Sequence, residues 1–446
     1  MRDWYERRRS HGSIPRSAAA RAARLAALPA GYAGRSAVQA GKRLLGQSAD
    51  VLTEEFERRT AEHLFSVLGG LKGGAMKIGQ LLSVFEAAFP PHVVEPYRAA
   101  LTRLQAAAPP LPTAAVRRVL EDGLGADWRK QLPEFDEVPA AAASIGQVHR
   151  ATWHDGRTVA VKIQYPHARE ALLGDYARFG RVIRMFSVLA PGLEVGPMVD
   201  ELRLRVSEEL DYRAEAAAQQ EFADAFRGDE LIHVPDVLAG TDRVLVTAWT
   251  DGRPLAEVIA AGTQEERDAA GLRYARFLLS GPARAGMLHA DPHPGNYRIL
   301  ADGRLGVLDF GAVQHLPDGF PPLLGALQRH AHARDYTAAA ALLRAEGFLR
   351  PGPPVDPAAI EDFLAPIAAP SAEPTFHFHR GWLREEVARS ASPRSKGLVR
   401  QLNLPPSYVL VNRVVMAGSA VLCQLDCTVP FRAEAARWLP GFTLPA

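Results

Sequence analysis

The segment 289–296 (HADPHPGN), followed by an Asp-Phe-Gly motif at 309–311, is the feature that most constrains what this chain folds into. Asp291 lies five residues before Asn296, and Asp309 begins the Asp-Phe-Gly motif. In that order, the first carboxylate is suited to face an acceptor oxygen. The amide and the second carboxylate are suited to hold Mg²⁺ against nucleotide phosphates. The sequence therefore predicts that Asp291 is catalytic and that Asn296 and Asp309 bind the metal.

A lysine upstream completes this set of polar side chains. The residues Val159-Ala160-Val161 predict a short buried strand that ends at Lys162. In a protein-kinase-like fold, a lysine at this place reaches the α- and β-phosphates, and a glutamate from a following helix steadies it. Only 6 of the 52 basic residues are lysine. A lysine kept in so arginine-rich a chain indicates a need for a compact ammonium group that a guanidinium cannot replace.

The segment before the lysine strand is rich in alanine, where a protein kinase has a glycine-rich loop over the phosphates. Its candidate nucleotide-binding residues are Ala140, Ala141, Ala142, Ala143 and Ser144. Alanine carries a Cβ, which disfavours the positive φ angles that a glycine loop uses. The pattern predicts a tighter cradle of different shape, although by itself it is equally typical of a simple alanine-rich turn.

An acidic run at 208–215 supplies the candidate partner of the lysine. Asp211 and Glu215 share a face if the run is helical, and Glu209 then lies about 200° from Asp211. Either Glu209 and Asp211 face different partners or the helix deforms between them. An isolated acidic run is usually an exposed helix. Here a glutamate is needed between Lys162 and the catalytic loop, which favours a place in the site.

Length and composition bound the fold class and the partners. At 446 residues the chain exceeds one ordinary domain, and we predict an α+β, two-lobed core with helical extensions. A net charge of +2 gives no nucleic-acid signature, so no nucleic-acid partner is predicted.

The C-terminal part of the chain contains two cysteines and one long apolar segment. Cys423 and Cys427, interpreted as neighbours on one apolar helix, cannot form a disulfide framework and indicate a reducing compartment. The segment from Tyr408 to Leu425 contains an arginine and is too short for a membrane span, so it predicts a buried helix.

The first 85 residues combine a basic segment with a glycine-rich helix. Residues 1–50 carry ten Lys or Arg against three acidic residues, a local net charge of +7. This composition predicts a solvated basic arm of a cytoplasmic protein. The alternatives are a segment that makes peripheral contact with anionic lipid and an organellar transit sequence. Residues 64–85 show helical apolar spacing interrupted by five glycines, which indicates close approach of another backbone or a ligand. Lys77 and Gln80 share a polar face of that helix.

Five segments are predicted along the chain. They are a basic arm (1–60), an N-terminal helical extension (61–131), a kinase-like N-lobe (132–248), a kinase-like C-lobe core (249–345) and a C-terminal helical region (346–446). Residues 134–164 read as strands joined by an alanine turn and by a turn at 154–156. Residues 243–248 read as a buried strand, and 249–252 as the hinge where an adenine edge meets backbone groups. After residue 320 the pattern is helical, with breaks at 351–357 and 370–379.

Taken together, these motifs resemble the AarF/UbiB/ADCK family of atypical protein-kinase-like proteins. Two features separate this resemblance from ordinary kinases: Lys77-Ile78-Gly79-Gln80, which resembles the family's KxGQ signature, and the alanine-rich loop. The run from Glu209 to Asp211 resembles its ExD element. The resemblance covers roughly residues 14–345.

The resemblance implies a role for each matching residue. Lys162 contacts the phosphates and pairs with Glu215, Asp291 is the catalytic-loop aspartate, and Asn296 and Asp309 bind Mg²⁺ with ATP. Lys77 and Gln80 project into the space where a protein kinase binds a peptide, with Glu209 and Asp211 nearby. The family is accordingly expected to couple ATP to isoprenoid-quinone (ubiquinone) biosynthesis or related membrane-lipid chemistry rather than to phosphorylate proteins. A quinone precursor or a lipid is the expected partner besides ATP.

Two other functions remain alternatives at this stage. A small-molecule phosphotransferase shares the catalytic loop, but it needs an open acceptor pocket that the 77–80 helix would occlude. A scaffold that only binds nucleotide is disfavoured because the four residues Lys162, Asp291, Asn296 and Asp309 are all present. The paired histidines at 330/332 and 377/379 lack accompanying ligands and are read as surface or capping residues.

Overall fold

The structure is a computed structural model, and it describes residues 111–143, 145–166, 211–390, 398 and 401–442. The predictions for the basic arm, the 64–85 helix, Lys77, Gln80, Ser144 and Glu209 lie outside the described residues. The predicted fold class is confirmed, since an antiparallel sheet and a larger, mainly helical region pack as a kinase-like α+β fold.

The elements up to residue 248 form the N-terminal lobe, apart from β5. They are α1 (Thr113–Leu124), α2 (Trp128–Gln131), β1 (Glu134–Phe135), β2 (Ala141–Ala142), β3 (Gly146–Thr152), β4 (Thr158–Gln164), α3 (Tyr212–Ala225), β5 (Ile232–His233), β6 (Val237–Gly240) and β7 (Val244–Ala248). The sheet has the order β1-β3-β4-β7-β6, with β2 also paired to β3. The predicted strands at 134–164 and 243–248 are thereby confirmed.

Strand β4 divides the N-terminal lobe into two faces. Val159, Val161 and Ile163 are buried in a core shared with β7, α1 and α2. Because alternate residues of a strand face opposite sides of the sheet, Lys162 lies on the other face. On that face Tyr212, at the start of α3, packs in a second buried cluster. The alternation therefore directs Lys162 toward α3, the helix that carries the candidate glutamate.

The remaining elements form a larger, mainly helical region. They are β8 (Arg253–Pro254), α4 (Leu255–Ala261), α5 (Gln264–Ala285), β9 (Met287–His289), β10 (Tyr297–Ile299), β11 (Leu305–Val307), β12 (Val313–His315), α6 (Pro322–His332), α7 (Tyr336–Ala345), α8 (Pro357–Ala372), β13 (Phe376–Phe378), α9 (Arg380–Ser390), α10 (Val409–Leu425), β14 (Cys427–Val429) and α11 (Phe431–Trp438). Strand β5 pairs with β11 and so belongs to this region.

Helix α5 is the central element of this region. It begins with a capping box, in which the Thr263 hydroxyl accepts from the Glu266 amide at 3.2 Å and the Glu266 carboxylate accepts from the Thr263 amide at 2.8 Å. Its apolar side, including Tyr274 and Phe277, packs in one large core with α10 and α11. The predicted buried helix near residues 408–425 is thus confirmed as α10. Among the described residues, no helix has the length and hydropathy required to span a bilayer.

One local prediction is wrong, one predicted boundary is shifted, and one alternative left open by the sequence is decided by the backbone. The alternative that the helix deforms agrees with the structure, because Asp211 is the extended N-cap of α3 and its carboxylate accepts from the Arg213 amide at 3.0 Å. Cys423 and Cys427 do not share a helix, because the chain turns at Asp426 (φ 52°) and Cys427 lies in β14. Both thiols are buried.

The shifted boundary belongs to the predicted break at 370–379. Helix α8 continues through Pro366 and Pro370 to Ala372, so the break begins at residue 373; it contains β13 and ends where α9 begins at Arg380. Pro370 and Ser371 are buried, and the Ser371 carbonyl accepts from Arg432 at 2.9 Å. Tertiary packing therefore outweighs the local tendency of proline to end a helix.

Candidate active site

Lys162 forms the centre of a charged cluster that links the two lobes. Its Nζ donates to the two carboxylate oxygens of Glu215 at 2.7 and 2.9 Å and to Oδ2 of Asp309 at 3.2 Å. Nζ also lies 5.1 Å from the ring centroid of Tyr212. Glu215 is on α3, and Asp309 follows β11 in the other lobe. Side chains separated by 53 and 147 residues thus converge on one ammonium group.

The charge state of Lys162 follows from these partners. Burial favours the neutral amine, but the carboxylates of Asp309 and Glu215 outweigh it and hold the pKa of Lys162 well above its ordinary value. A raised pKa means that the ammonium contributes its stabilisation throughout the neutral range, and that the contribution is lost only as pH rises through the raised value. Lys162 is therefore a positive charge at neutral pH.

Two short ladders of hydrogen bonds hold the segment 289–296 beside Asp309. Strand β9 pairs with β12, and the Ala290 amide continues that ladder to the Ala312 carbonyl at 2.9 Å. Strand β10 pairs with β11, and the Leu308 amide donates to the Asn296 carbonyl at 2.9 Å. Between the ladders, the buried Tyr274 hydroxyl donates to the Pro292 carbonyl at 2.7 Å. The loop is therefore fixed at both ends and at its middle.

Asp291 and Asn296 contact each other within this loop, and both are buried. The Asn296 amide nitrogen donates to the backbone carbonyl of Asp291 at 3.0 Å and to its Oδ2 at 3.2 Å. Because the amide nitrogen is directed at Asp291, the side-chain oxygen of Asn296 is the atom left to face a cation. The predicted catalytic and metal-binding residues thus form one unit.

Asp309 is held in place by hydrogen bonds with Gly311, which follows it in the chain, and with His289, which faces it. Its Oδ1 accepts from the Gly311 amide at 3.0 Å, and its backbone carbonyl lies 2.5 Å from Nε2 of His289. The His289 ring is buried, which lowers its pKa, so the ring is neutral and Nε2 carries the proton that is donated. Phe310 is buried against Phe222 and His289, with ring centroids 5.0 and 5.3 Å away. This aromatic contact anchors the Asp-Phe-Gly segment to α3.

The donor atoms at this site fit Mg²⁺. Asn296 and Asp309 offer amide and carboxylate oxygens, which are the hard ligands that Mg²⁺ prefers, and Mg²⁺ commonly takes only one or two protein ligands beside substrate phosphates. Across the described ranges, no cluster of three or more His, Cys, Asp or Glu side chains could hold a metal ion, which argues against a Zn²⁺-type cage in that part of the chain.

The alanine-rich segment forms a hairpin that pairs with the strand carrying Lys162. Ala141 pairs with Val148, and Val148 pairs with Lys162 on the next strand. Two strand spacings put the Ala141 backbone roughly 10 Å from that of Lys162. At Gly146 an added Cβ would lie 2.2 Å from the Ile163 carbonyl oxygen, so the hairpin returns against β4 only because this residue is glycine.

Two contacts to this site were missed by sequence reasoning. Tyr212 places its ring beside the Lys162 ammonium, and Arg413 on α10 brings its guanidinium to 3.5 Å from Oδ1 of Asp291. Tyr212 lies within the acidic run, so its position offered a weak signal. Arg413 lies 122 residues from Asp291, and nothing in the sequence pattern around it indicates that the two side chains meet.

The family of the chain follows from a match to a family model. The ABC1 atypical kinase-like domain matches residues 103–343, more than half of the chain. The chain belongs to the ABC1 atypical kinase-like family. The match includes the residues from the alanine hairpin to the Asp-Phe-Gly motif, so the predicted resemblance is confirmed.

Similar proteins agree with this assignment. The chain is 27% identical to the atypical kinase coq-8, mitochondrial, of Caenorhabditis elegans, across 77% of this chain and 46% of that protein. It is 32% identical to the atypical kinase COQ8, mitochondrial, of Saccharomyces cerevisiae, across 59% of this chain and 53% of that protein. The chain thus spans about half the length of these curated relatives. A solved structure of Rv3197 from Mycobacterium tuberculosis in complex with erythromycin has 43% identity and a TM-score of 0.69, covering 89% of this chain and 100% of that chain.

Proposed function

We propose that this protein binds Mg²⁺-ATP and transfers or hydrolyses its terminal phosphoryl group as an atypical kinase or ATPase. The observation that carries the proposal is the convergence of Glu215 and Asp309 on the Lys162 ammonium, with Asp291 and Asn296 bonded to each other in the adjoining loop. These are the groups that phosphoryl transfer needs: a cation for the phosphates, oxygen ligands for a metal, and a carboxylate for the acceptor.

Each residue has a distinct role in this proposal. Lys162 binds the α- and β-phosphates, and Glu215 holds its ammonium in place. Asn296 and Asp309 hold Mg²⁺, which when bound neutralises charge on the phosphates. Asp291 faces the acceptor oxygen and accepts its proton. The alanine hairpin, including residue 144, covers the phosphates from the N-terminal lobe.

The acceptor in this proposal is not a protein. Lys77 and Gln80 would fill the space in which a protein kinase binds a peptide, with Glu209 and Asp211 beside them. Of these, Asp211 is described, and it lies at the start of α3, four residues before Glu215. Its side chain caps that helix, so in this proposal it also fixes where the helix begins relative to Lys162.

The family resemblance supports a place in isoprenoid-quinone biosynthesis or related membrane-lipid metabolism, with a quinone precursor or lipid as partner. The basic segment 1–50, with its local net charge of +7, is the proposed site of peripheral contact with an anionic membrane surface. Its cation-rich composition suits that contact, because anionic lipids attract clustered Lys and Arg.

A chromosomal Asp291→Asn substitution is expected to change the quinone profile as much as deletion of the gene does. The amide keeps the shape of the side chain but cannot accept a proton, so the chemical step is removed. Quinone and its biosynthetic intermediates would be measured in both strains. Asp318→Asn, the same change at an exposed aspartate, is the control and should leave the profile normal. A normal profile after deletion would refute the quinone role, and a normal profile in Asp291→Asn alone would indicate a scaffold.

Binding of erythromycin is a second candidate function. The supporting observation is the solved complex of Rv3197 with erythromycin, whose chain is 43% identical over 89% of this one. We expect calorimetric titration of this protein with erythromycin to give saturable binding with one site per chain. Absence of heat and of any thermal shift at saturating erythromycin would exclude this second function and leave the first untouched.

A further inference from the structure

Arg413 brings the C-terminal part of the chain into contact with the catalytic loop. Its Nη2 lies 3.5 Å from Oδ1 of Asp291, within ion-pair distance. The Asp291 side chain is 9% exposed and that of Arg413 is 38% exposed. A half-exposed guanidinium thus reaches a nearly buried carboxylate. None of the motifs that define the site includes this arginine.

Helix α10 presents Arg413 from a fixed position. Leu410, Val411 and Val414 are buried in the main core on either side of it along the helix. A Cβ added at Gly418 would lie 2.9 Å from Cδ1 of Leu278, so α10 lies very close to α5 at this level. The backbone of Arg413 is therefore fixed by the packing of α10, which places its guanidinium within reach of Asp291.

The two oxygens of the Asp291 carboxylate have different described partners. Oδ1 faces Arg413, whereas Oδ2 accepts from the Asn296 amide. A carboxylate held at both oxygens cannot rotate about its terminal bond without losing one of these contacts.

We propose that Arg413 is a positioning residue that fixes the orientation of the Asp291 carboxylate toward the acceptor. This inference rests on the proposed function, because it assigns Arg413 a part in the same phosphoryl-transfer site. It makes α10 a necessary part of that site, although Arg413 lies 122 residues after Asp291. Truncation before α10 would therefore remove a determinant of turnover as well as part of the core.

The test compares Arg413→Ala with the wild-type chain in Mg²⁺-ATP turnover. We expect kcat to fall about tenfold to a hundredfold, the usual cost of a misplaced catalytic group. The dissociation constant for Mg²⁺-ATP should stay unchanged, because Lys162, Glu215 and Asp309 are not touched. Added guanidinium ion should restore part of the lost rate by occupying the vacated space beside Asp291. Asn412→Ala, an exposed neighbour on the same helix, should behave as wild type.

Each other outcome overturns the inference in a recognisable way. Unchanged kcat in Arg413→Ala would remove Arg413 from the site and leave the proposed function standing. A fall in kcat accompanied by loss of ATP affinity and of melting temperature, without rescue by guanidinium, would show a purely structural role. Absence of turnover in the wild-type chain, with every candidate acceptor and with water, would overturn the inference together with the proposed function.

Discussion

Lys162→Met is expected to abolish the stabilisation of this protein by Mg²⁺-ATP and to lower its free energy of unfolding by about 3 kcal/mol. The nucleotide loses its phosphate-binding cation. The fold also loses a partner of Glu215, whose side chain is only 3% exposed and whose two oxygens both accept from Lys162. Breaking a buried ion pair on one side leaves a charge in a place where water solvates it poorly. Chemical denaturation and thermal melts with and without Mg²⁺-ATP measure the two effects separately.

A second substitution separates the loss of ATP binding from the loss of folding stability. Adding Glu215→Gln to Lys162→Met removes the buried charge, so much of the lost stability should return while ATP binding stays absent. Lys130→Met is the matched control, because Lys130 is an exposed lysine that pairs only with the exposed Asp127 in the described structure. Recovery of ATP binding in the double variant would contradict the role of Lys162, since its ammonium would then be dispensable.

Asp309→Asn is expected to remove most of the rise in melting temperature that Mg²⁺-ATP gives the wild-type chain. Ligand at a hundred times its dissociation constant stabilises a fold by about 2.7 kcal/mol, and that gain disappears when the metal is no longer held. The substitution also removes one of the carboxylates that attract the Lys162 ammonium. The unliganded variant should still fold, because the Asp309 side chain is 36% exposed and Phe310 keeps its packing.

Nucleotide titrations followed by differential scanning fluorimetry would test this expectation. Asp318→Asn supplies the control at an exposed aspartate. A metal dependence should accompany the wild-type shift, with EDTA reducing it to the level of Asp309→Asn. A full Mg²⁺-ATP shift in Asp309→Asn would mean that the metal is held elsewhere or is not needed for binding.

Much of the N-terminal lobe could be predicted from local pattern. The alternation around Val161 gives a strand with one buried face, and that alone puts Lys162 on the opposite face. The loops at 154–156 and 249–252 follow from turn residues between apolar runs. The pairing of β7 with β4, and of β6 with β7, is a long-range arrangement, and the order of motifs along a kinase-like chain was the only information in the sequence that pointed to it.

Sequence patterns were least informative where an element boundary depends on one residue. Asp211 is extended and its carboxylate caps α3, whereas an aspartate inside a helix would look the same in the sequence. Asp426 adopts a left-handed conformation, and so separates Cys423 from Cys427, in a segment without glycine or proline at the turn. Arg413 illustrates a different limit, because its contact with Asp291 arises only when α10 packs on α5.

A crystal structure with Mn²⁺ and a non-hydrolysable ATP analogue tests the central claim most directly. We predict an anomalous manganese peak in contact with the side-chain oxygens of Asn296 and Asp309, and a triphosphate in contact with the ammonium group of Lys162. A nucleotide bound away from these side chains, or manganese at a site that includes neither Asn296 nor Asp309, would contradict it.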